Sequence, residues 1–347
     1  MKVLLTGAAG FIGRHIAEAV TAAGHDVLGL DMLLPQAHGQ SSALPAGTLH
    51  GDVRDAELLD RLLPGVDVVC HQAATVGNGV DAQDLPGYAA HNDLGTASLL
   101  AAMARAGTRH LVLASSVVVY GEGRYTCPSD GDVPPAPRRD DDLRQGRFDP
   151  ACPTCGGDIQ PHLVEESAPF APRSGYAASK IAQEHYASSW CTLESGRAVA
   201  LRYHNAYGPG MPADTPYSGV AAIFRSALQH GDPPQVFEDG NQLRNFVHVS
   251  DIARANLAAI ETVVSQPAGL RAYNVCSPQT YTIGDMARRL AHVMGGPAPV
   301  TRGQYRAFDV RHVAASPQRA REELGFEALV SPDEGIAELA HAPLRQR

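Results

Sequence analysis

The sequence predicts a doubly wound α/β fold, a parallel sheet covered on both faces, with a smaller C-terminal α/β lobe. Three observations predict it. An apolar strand runs into a glycine turn and an amphipathic helix at the start of the chain, an acid closes the second strand, and strand-like runs alternate with helical patterns as far as Ser116. Such alternation favours βαβ units and a parallel sheet.

Val3-Leu4-Leu5 form the first strand, and Gly7, Gly10 and Gly13 let the backbone turn sharply beneath a diphosphate. Phe11 and Ile12 open a helix whose apolar residues recur at Ile12, Ile16, Ala19 and Val20, one helical face. A bare helix N-terminus beside a glycine turn is an anion site. The second strand, 26–30, ends at Asp31, about 20 residues past the turn, where a dinucleotide's ribose hydroxyls lie. A third strand over 48–53 ends in Asp52-Val53, Leu58, Leu59, Leu62 and Leu63 give a helical face, and 66–70 form a fourth strand.

At the end of that strand, Ala73 and Ala74 are small enough to let a cofactor approach, or simply pack a helix. Residues 88–106 read as one long helix carrying Asn92. A fifth strand over 110–114 delivers Ser115 and Ser116 at its carboxyl end, the side on which ligands bind in such sheets. Tyr176 and Lys180, four apart, share one face of a later helix. A tyrosine serving as base near neutrality needs a shift of about 3 units, about 4 kcal/mol. A neighbouring ammonium and a positively charged nicotinamide supply it. On spacing alone, the pair is also an ordinary helix surface.

The net charge of −9 excludes general nucleic-acid binding. No apolar run is long enough to span a bilayer, so no membrane partner is expected. The first residues run straight into the glycine turn, and a cytoplasmic location is expected. In that compartment the six cysteines are thiols or metal ligands rather than disulfides.

Together, Thr6-Gly7-x-x-Gly10-x-x-Gly13, Asp31, Ser116 and Tyr176-x-x-x-Lys180 resemble the extended short-chain dehydrogenase/reductase family, in particular its nucleotide-sugar epimerases. The likeness extends through Asp52-Val53, Asn92, residues 119–121, 202–210, 244–251, 309–312 and 324–326. It implies a Rossmann-type NAD domain over 1–215, interrupted by an insertion at 122–168 and rejoined by 244–262, and a nucleotide-sugar lobe over 216–347. It also implies a homodimer built on the helices at 88–106 and 176–193.

In residue terms, the resemblance implies Tyr176 as acid/base, Lys180 as its electrostatic partner and Ser116 as a donor to the reacting oxygen. NAD is expected at Gly7, Gly10, Phe11, Ile12, Gly13, Asp31, Asp52, Val53, Ala73, Ala74, Asn92, Tyr176, Lys180 and Tyr203. The nucleoside-diphosphate sugar is expected at Ser116, Asn205, Arg244 and Arg311. Guanidinium forks match phosphate geometry, although surface salt bridging is the plainer role for both arginines.

Relatives that eliminate water carry an Asp-Glu pair after the serine, and decarboxylating relatives carry a Glu. Here Val117 and Val118 stand in those places, and neither transfers a proton. The resemblance therefore implies NAD-dependent epimerisation at C4, and Asp31 favours NAD over NADP. The alternatives are a 4-ketoreductase, a UDP-hexose or UDP-uronate 4-epimerase, and a non-catalytic NAD-responsive binding protein.

The connection from Gly121 to Gly175 is several times the roughly 15 residues of an unstructured loop. Cys152-Pro153-Thr154-Cys155-Gly156 has the look of a zinc knuckle, and Cys127 with Asp130 has the spacing of a first half-site. Three thiolates and an oxygen or imidazole complete a tetrahedral site, so structural zinc is expected at Cys127, Asp130, Cys152 and Cys155, with His162 a rival fourth ligand. The insertion is similar to one in 4-epimerases of dTDP-6-deoxyhexoses such as dTDP-L-rhamnose, which implies that class of substrate.

Overall fold

A computed structural model describes residues 1–38, 44–77, 81–213, 219–307 and 309–345. The expected lobe boundary at 216 lies outside the described residues. The strands that position the site are β1 (Lys2–Thr6), β2 (Asp26–Asp31), β3 (Thr48–His50), β4 (Val68–His71) and β5 (His110–Ser116), then β6 (Arg124–Cys127), β7 (Gly131–Val133), β8 (Gln160–His162), β9 (Arg197–Tyr203) and β10 (Gly269–Val275).

Seven of them form one parallel sheet in the order β10-β9-β5-β4-β1-β2-β3. Its inner strands are apolar in almost every position because both faces are covered. Helices α1 (Phe11–Ala22) and α5 (Val249–Val263) close one face over Val3, Leu5, Val199 and Leu201. Helices α2 (Ala56–Leu62), α3 (Leu94–Ala106) and α4 (Gly175–Glu194) flank the other, over Leu4, Leu59, Leu99, Met103, Leu111 and Trp190. Val3 and Leu4 point to opposite faces, as the two-residue period of a strand requires.

The sequence expectation put everything after 216, apart from 244–262, in the second lobe. Instead, β10 is the edge strand of the main sheet, paired with β9 from Gly269–Arg197 to Val275–Tyr203. Its half-polar composition hid it, since an edge strand buries only part of its length. The long helix expected over 88–106 is also divided. A turn of α-helix, Leu85–Tyr88, passes through a π-turn, Ala89–Asp93, before α3. The extra residue turns Asn92 into the interior.

The second lobe packs helices Val220–Gln229, Ile283–Val293 and Pro332–His341 around Phe224, Met286, Leu290, Ile336 and Leu339. In this lobe Gln235–Val236 form a two-residue strand parallel to Val300–Thr301. The insertion is a three-stranded antiparallel sheet, β7-β6-β8, whose core is Tyr125, Cys127, Val133, Cys152 and Ile159. That core is too small to hold a separate unit by apolar burial alone.

Candidate active site

The glycine turn leaves β1 at Thr6. A Cβ on Gly7, whose φ is +70°, would fall 2.7 Å from the Ala73 nitrogen, and one on Gly13 would fall 2.1 Å from the Gly7 carbonyl. Those glycines let the turn, α1 and the exit of β4 interlock. Helix α1 begins at Gly10 with no side-chain cap and no acid in its first turn, so its N–H groups face the cleft unneutralised. Asp31 accepts N–H bonds from Ala9 at 2.9 Å and Leu33 at 2.8 Å, which fixes its carboxylate beside the turn.

Ala73 and Ala74 leave β4 half-buried, with the Ala73 N–H donating to the Thr6 hydroxyl at 3.2 Å. Asp52 is ion-paired to Arg54 at 2.5 Å, and Val53 is buried next to it. Tyr203, at the end of β9, hydrogen-bonds Gln72 at 3.0 Å and Asn256 at 2.9 Å. Asn92 differs from the expectation of a cofactor contact. It is fully buried, its carbonyl accepts from the Thr75 N–H, and its amide donates to Thr75 O and Ser179 Oγ. With both amide donors spent, it ties the β4 exit to α4.

Ser116 ends β5 and opens a 3₁₀ turn through Tyr120, which holds Val117 and Val118. Helix α4 is capped by Ser174, whose Oγ accepts from the Ala177 N–H at 3.1 Å, and this sets Tyr176 in the first turn. Burial pushes the Tyr176 phenol above its ordinary pKa, against the Ser116 hydroxyl that hydrogen-bonds to it. Lys180, one turn on, donates to the Ala114 carbonyl at 2.9 Å and lies 5.8 Å from the Tyr176 ring centroid. Burial lowers Lys180 to about 8, opposed by Glu184. A phenol, a hydroxyl and an ammonium thus meet at the carboxyl end of β5, a set suited to moving a proton on and off a carbinol oxygen.

The two arginines sit differently from each other. Arg311 is 1% exposed and gives its guanidinium to Asp149, Glu238 and Asp239 at 2.6–2.9 Å. The guanidinium is buried in a cage of carboxylates, of which Glu238 is itself buried, rather than paired at the surface. Arg244 donates to the carbonyls of Leu243, Val310 and Arg311, and makes no ion pair among the described residues. Asn205 keeps a buried side-chain carbonyl with no partner among the described residues.

Sequence reasoning missed Glu184, although its place four residues after Lys180 on α4 was a usable signal. It also missed Arg345, which donates to the carbonyls of Ala9 in the glycine turn and of Ala37. No local pattern announces a contact spanning the whole chain.

In the insertion, Cys127, Asp130, Cys152 and Cys155 bring one ligand atom each within 4.8 Å of one another. The sulfurs of Cys127 and Cys155 are 3.5 Å apart, and Asp130 Oδ2 is 3.3 Å and 3.1 Å from the sulfurs of Cys127 and Cys152. A tetrahedral zinc with Zn–S bonds of about 2.3 Å sets its sulfurs about 3.8 Å apart, so the donor set fits. His162 is spent on Thr126 at 2.6 Å and is not part of the group.

A family model described as the NAD dependent epimerase/dehydratase family matches residues 3–140 and 153–276, breaking off inside the insertion. Among curated proteins, a dTDP-L-rhamnose 4-epimerase of Burkholderia thailandensis is 33% identical, the alignment covering 97% of this chain and 93% of the relative. A UDP-glucose 4-epimerase of Mycolicibacterium smegmatis is 30% identical over 97% and 96%. Among solved structures, the UDP-glucose 4-epimerase of Thermus thermophilus in complex with NAD superimposes with a TM-score of 0.76, at 29% identity and 98% coverage of both chains.

Proposed function

The chain belongs to the NAD-dependent epimerase/dehydratase family, and from that premise we propose that it interconverts the C4 epimers of a nucleoside-diphosphate hexose. The favoured substrate is a dTDP-6-deoxyhexose such as dTDP-L-rhamnose. One observation carries the reaction class: Ser116, Tyr176 and Lys180 converge while the positions after the serine hold only valines. The dTDP-sugar preference is supported by the similarity to the Burkholderia thailandensis enzyme. A UDP-hexose or UDP-uronate is the second reading, supported by the likeness to the UDP-glucose 4-epimerases.

The cleft fits NAD. The uncapped start of α1 suits its diphosphate, Gly7 and Gly13 let the turn and helix pack tightly beside it, and the Asp31 carboxylate accepts ribose hydroxyls while repelling a 2′-phosphate. Held there, NAD would supply a reversible acceptor for the hydride on the sugar's C4. Tyr176 takes the C4 hydroxyl proton at its phenol oxygen and later gives it back. Ser116 donates to the same sugar oxygen, and the Lys180 ammonium favours the phenolate that burial opposes. Asn205 and Arg244 anchor the diphosphate while the keto-sugar turns to present its other face.

Structural zinc at Cys127, Asp130, Cys152 and Cys155 belongs to the same reading, stapling an insertion with little core of its own. So does a cytoplasmic homodimer. Unpaired cysteines suit a reducing compartment, and Leu94, Tyr186 and Leu193 leave apolar surface exposed on α3 and α4. Among the described residues, no helix is long and apolar enough to cross a membrane.

The test is a panel of dTDP- and UDP-hexoses incubated with purified protein and no added reduced nicotinamide, with products identified by NMR. Catalytic inversion at C4 alone supports the reading. A requirement for stoichiometric reduced cofactor assigns a ketoreductase, and loss of water or carbon dioxide overturns the reaction class. Metal analysis should find one zinc per chain, lost in Cys152→Ser, and light scattering should give twice the chain mass.

A further inference from the structure

The insertion grips one strip of the substrate lobe. Glu122 accepts the Arg311 backbone N–H at 2.7 Å, and Arg138 donates to the Asp309 carbonyl at 2.5 Å. Asp149, three residues before Cys152, accepts from Arg311 Nε at 2.7 Å and pairs with the His312 ring at 3.0 Å. Glu238 sits between Arg138 and Arg311, at 2.7 Å and 2.9 Å, with all three side chains almost fully buried. Every residue from 309 to 312 except Val310 is therefore held directly by a group of the insertion.

The gripped strip in turn holds Arg244. Its guanidinium donates to Val310 O at 2.7 Å and Arg311 O at 2.9 Å, with Leu243 O at 2.7 Å completing the cradle. The charges are arranged unequally. Arg311 is ion-paired to three carboxylates, whereas the guanidinium of Arg244 hydrogen-bonds only to neutral carbonyls, with the carboxylates of Asp309, Glu122 and Glu238 near it but not paired to it. Carbonyls fix where a guanidinium points without cancelling it, and a carboxylate does both.

We infer that the cysteine-bearing insertion is the positioning element for Arg244, with Glu122, Arg138 and Asp149 fixing the 309–312 strip whose carbonyls aim that guanidinium at the nucleoside diphosphate. Arg311 is then the cross-brace of this device rather than a ligand of the substrate. The inference rests on the reading of Arg244 as a diphosphate ligand. It gives the insertion a part in substrate binding through the residues it positions.

The experiment uses full-length, NAD-loaded protein and titrates it calorimetrically with dTDP and UDP. The variants are Arg244→Ala, Asp149→Ala with Arg138→Met, and the near-isosteric Asp149→Asn, which preserves the fold if the double variant does not. Displacing a positioned group costs up to about a hundredfold, so the double variant should weaken diphosphate binding about tenfold, with KM rising in step, kcat within about twofold and NAD content unchanged. Asp149→Asn should weaken binding less, and Asp149→Glu should restore most of it. Diphosphate binding at the parental level in the double variant and in Asp149→Asn, with Arg244→Ala defective, overturns the inference. Loss of NAD together with diphosphate overturns it too, because general loosening would then suffice. Unchanged binding in Arg244→Ala instead removes the reading on which the inference stands.

Discussion

Glu184 and Arg202 form an ion pair 2.8 Å apart, with side chains 2% and 4% exposed, directly beneath the strand end that carries Ser116. The same carboxylate accepts the Ser115 hydroxyl, and Arg202 goes on to the Tyr120 hydroxyl at 2.8 Å. Removing one partner strands a buried charge, at a cost of about 3–5 kcal/mol. Glu184→Gln should therefore lower the melting temperature sharply. The double variant Glu184→Leu with Arg202→Met should fall less than the sum of the two single changes, measured by differential scanning calorimetry.

Lys180 links pH to both rate and stability. Its pKa is about 8 in the folded chain and about 10.4 when unfolded, so between those values the unfolded state binds more protons. Stability should rise with pH across that window, and the penalty should be fully present below pH 8. Lys180→Met should be inactive yet more stable at pH 7 by up to about 3 kcal/mol, an advantage that disappears above pH 10. Turnover by the parent should fall as pH rises through about 8, where the ammonium is lost.

Tyr176→Phe keeps the ring's packing against Tyr88, 5.9 Å between centroids, and removes the proton acceptor. Turnover should drop by about 10²–10⁴-fold with NAD content and nucleotide affinity retained. Comparable turnover in this variant would count against Tyr176 as the acid/base.

The two glycines of the turn should respond unequally. A Cβ at Gly13 meets the Gly7 carbonyl at 2.1 Å, while one at Gly10 meets it at 3.1 Å. Gly13→Ala should yield protein lacking NAD, read from the nucleotide released on denaturation, and Gly10→Ala should retain a measurable fraction.

Among the described residues, the buried carbonyl oxygen of Asn205 has no partner. Because that oxygen gives up no hydrogen bond among the described residues, Asn205→Ala should change the melting temperature little while raising KM for the nucleotide sugar about tenfold. Steady-state kinetics and a thermal melt on one preparation test both halves.

The first five strands of the sheet and the shared helix face of Tyr176 and Lys180 were legible because their signals are local. Val3-Leu4-Leu5 before the glycine turn, and Tyr176 four residues before Lys180, are patterns set by helix and strand periods. Asn92 was legible as a residue that mattered, but not in its role, because a π-turn rotates it inward and no side-chain pattern encodes that turn. Arg311 was misplaced for another reason. Its partners Asp149 and Glu238 lie 162 and 73 residues away, so its neutralisation is a product of tertiary packing alone. Val117 and Val118 spoke through the chemistry they cannot perform, and that information needs no coordinates.

The outermost strand of the nucleotide-binding sheet is drawn from Gly269–Val275, after the chain has already visited the other lobe. During synthesis, the first two hundred residues therefore emerge with β9 as an unfinished border, its hydrogen-bonding groups facing water until roughly the last quarter of the polypeptide is made. A protein truncated before Gly269 should precipitate by strand addition along Arg197–Tyr203 rather than persist as a free nucleotide-binding half. The two lobes are thus one folding commitment, and grafting this cleft onto another scaffold requires carrying β10 along with it.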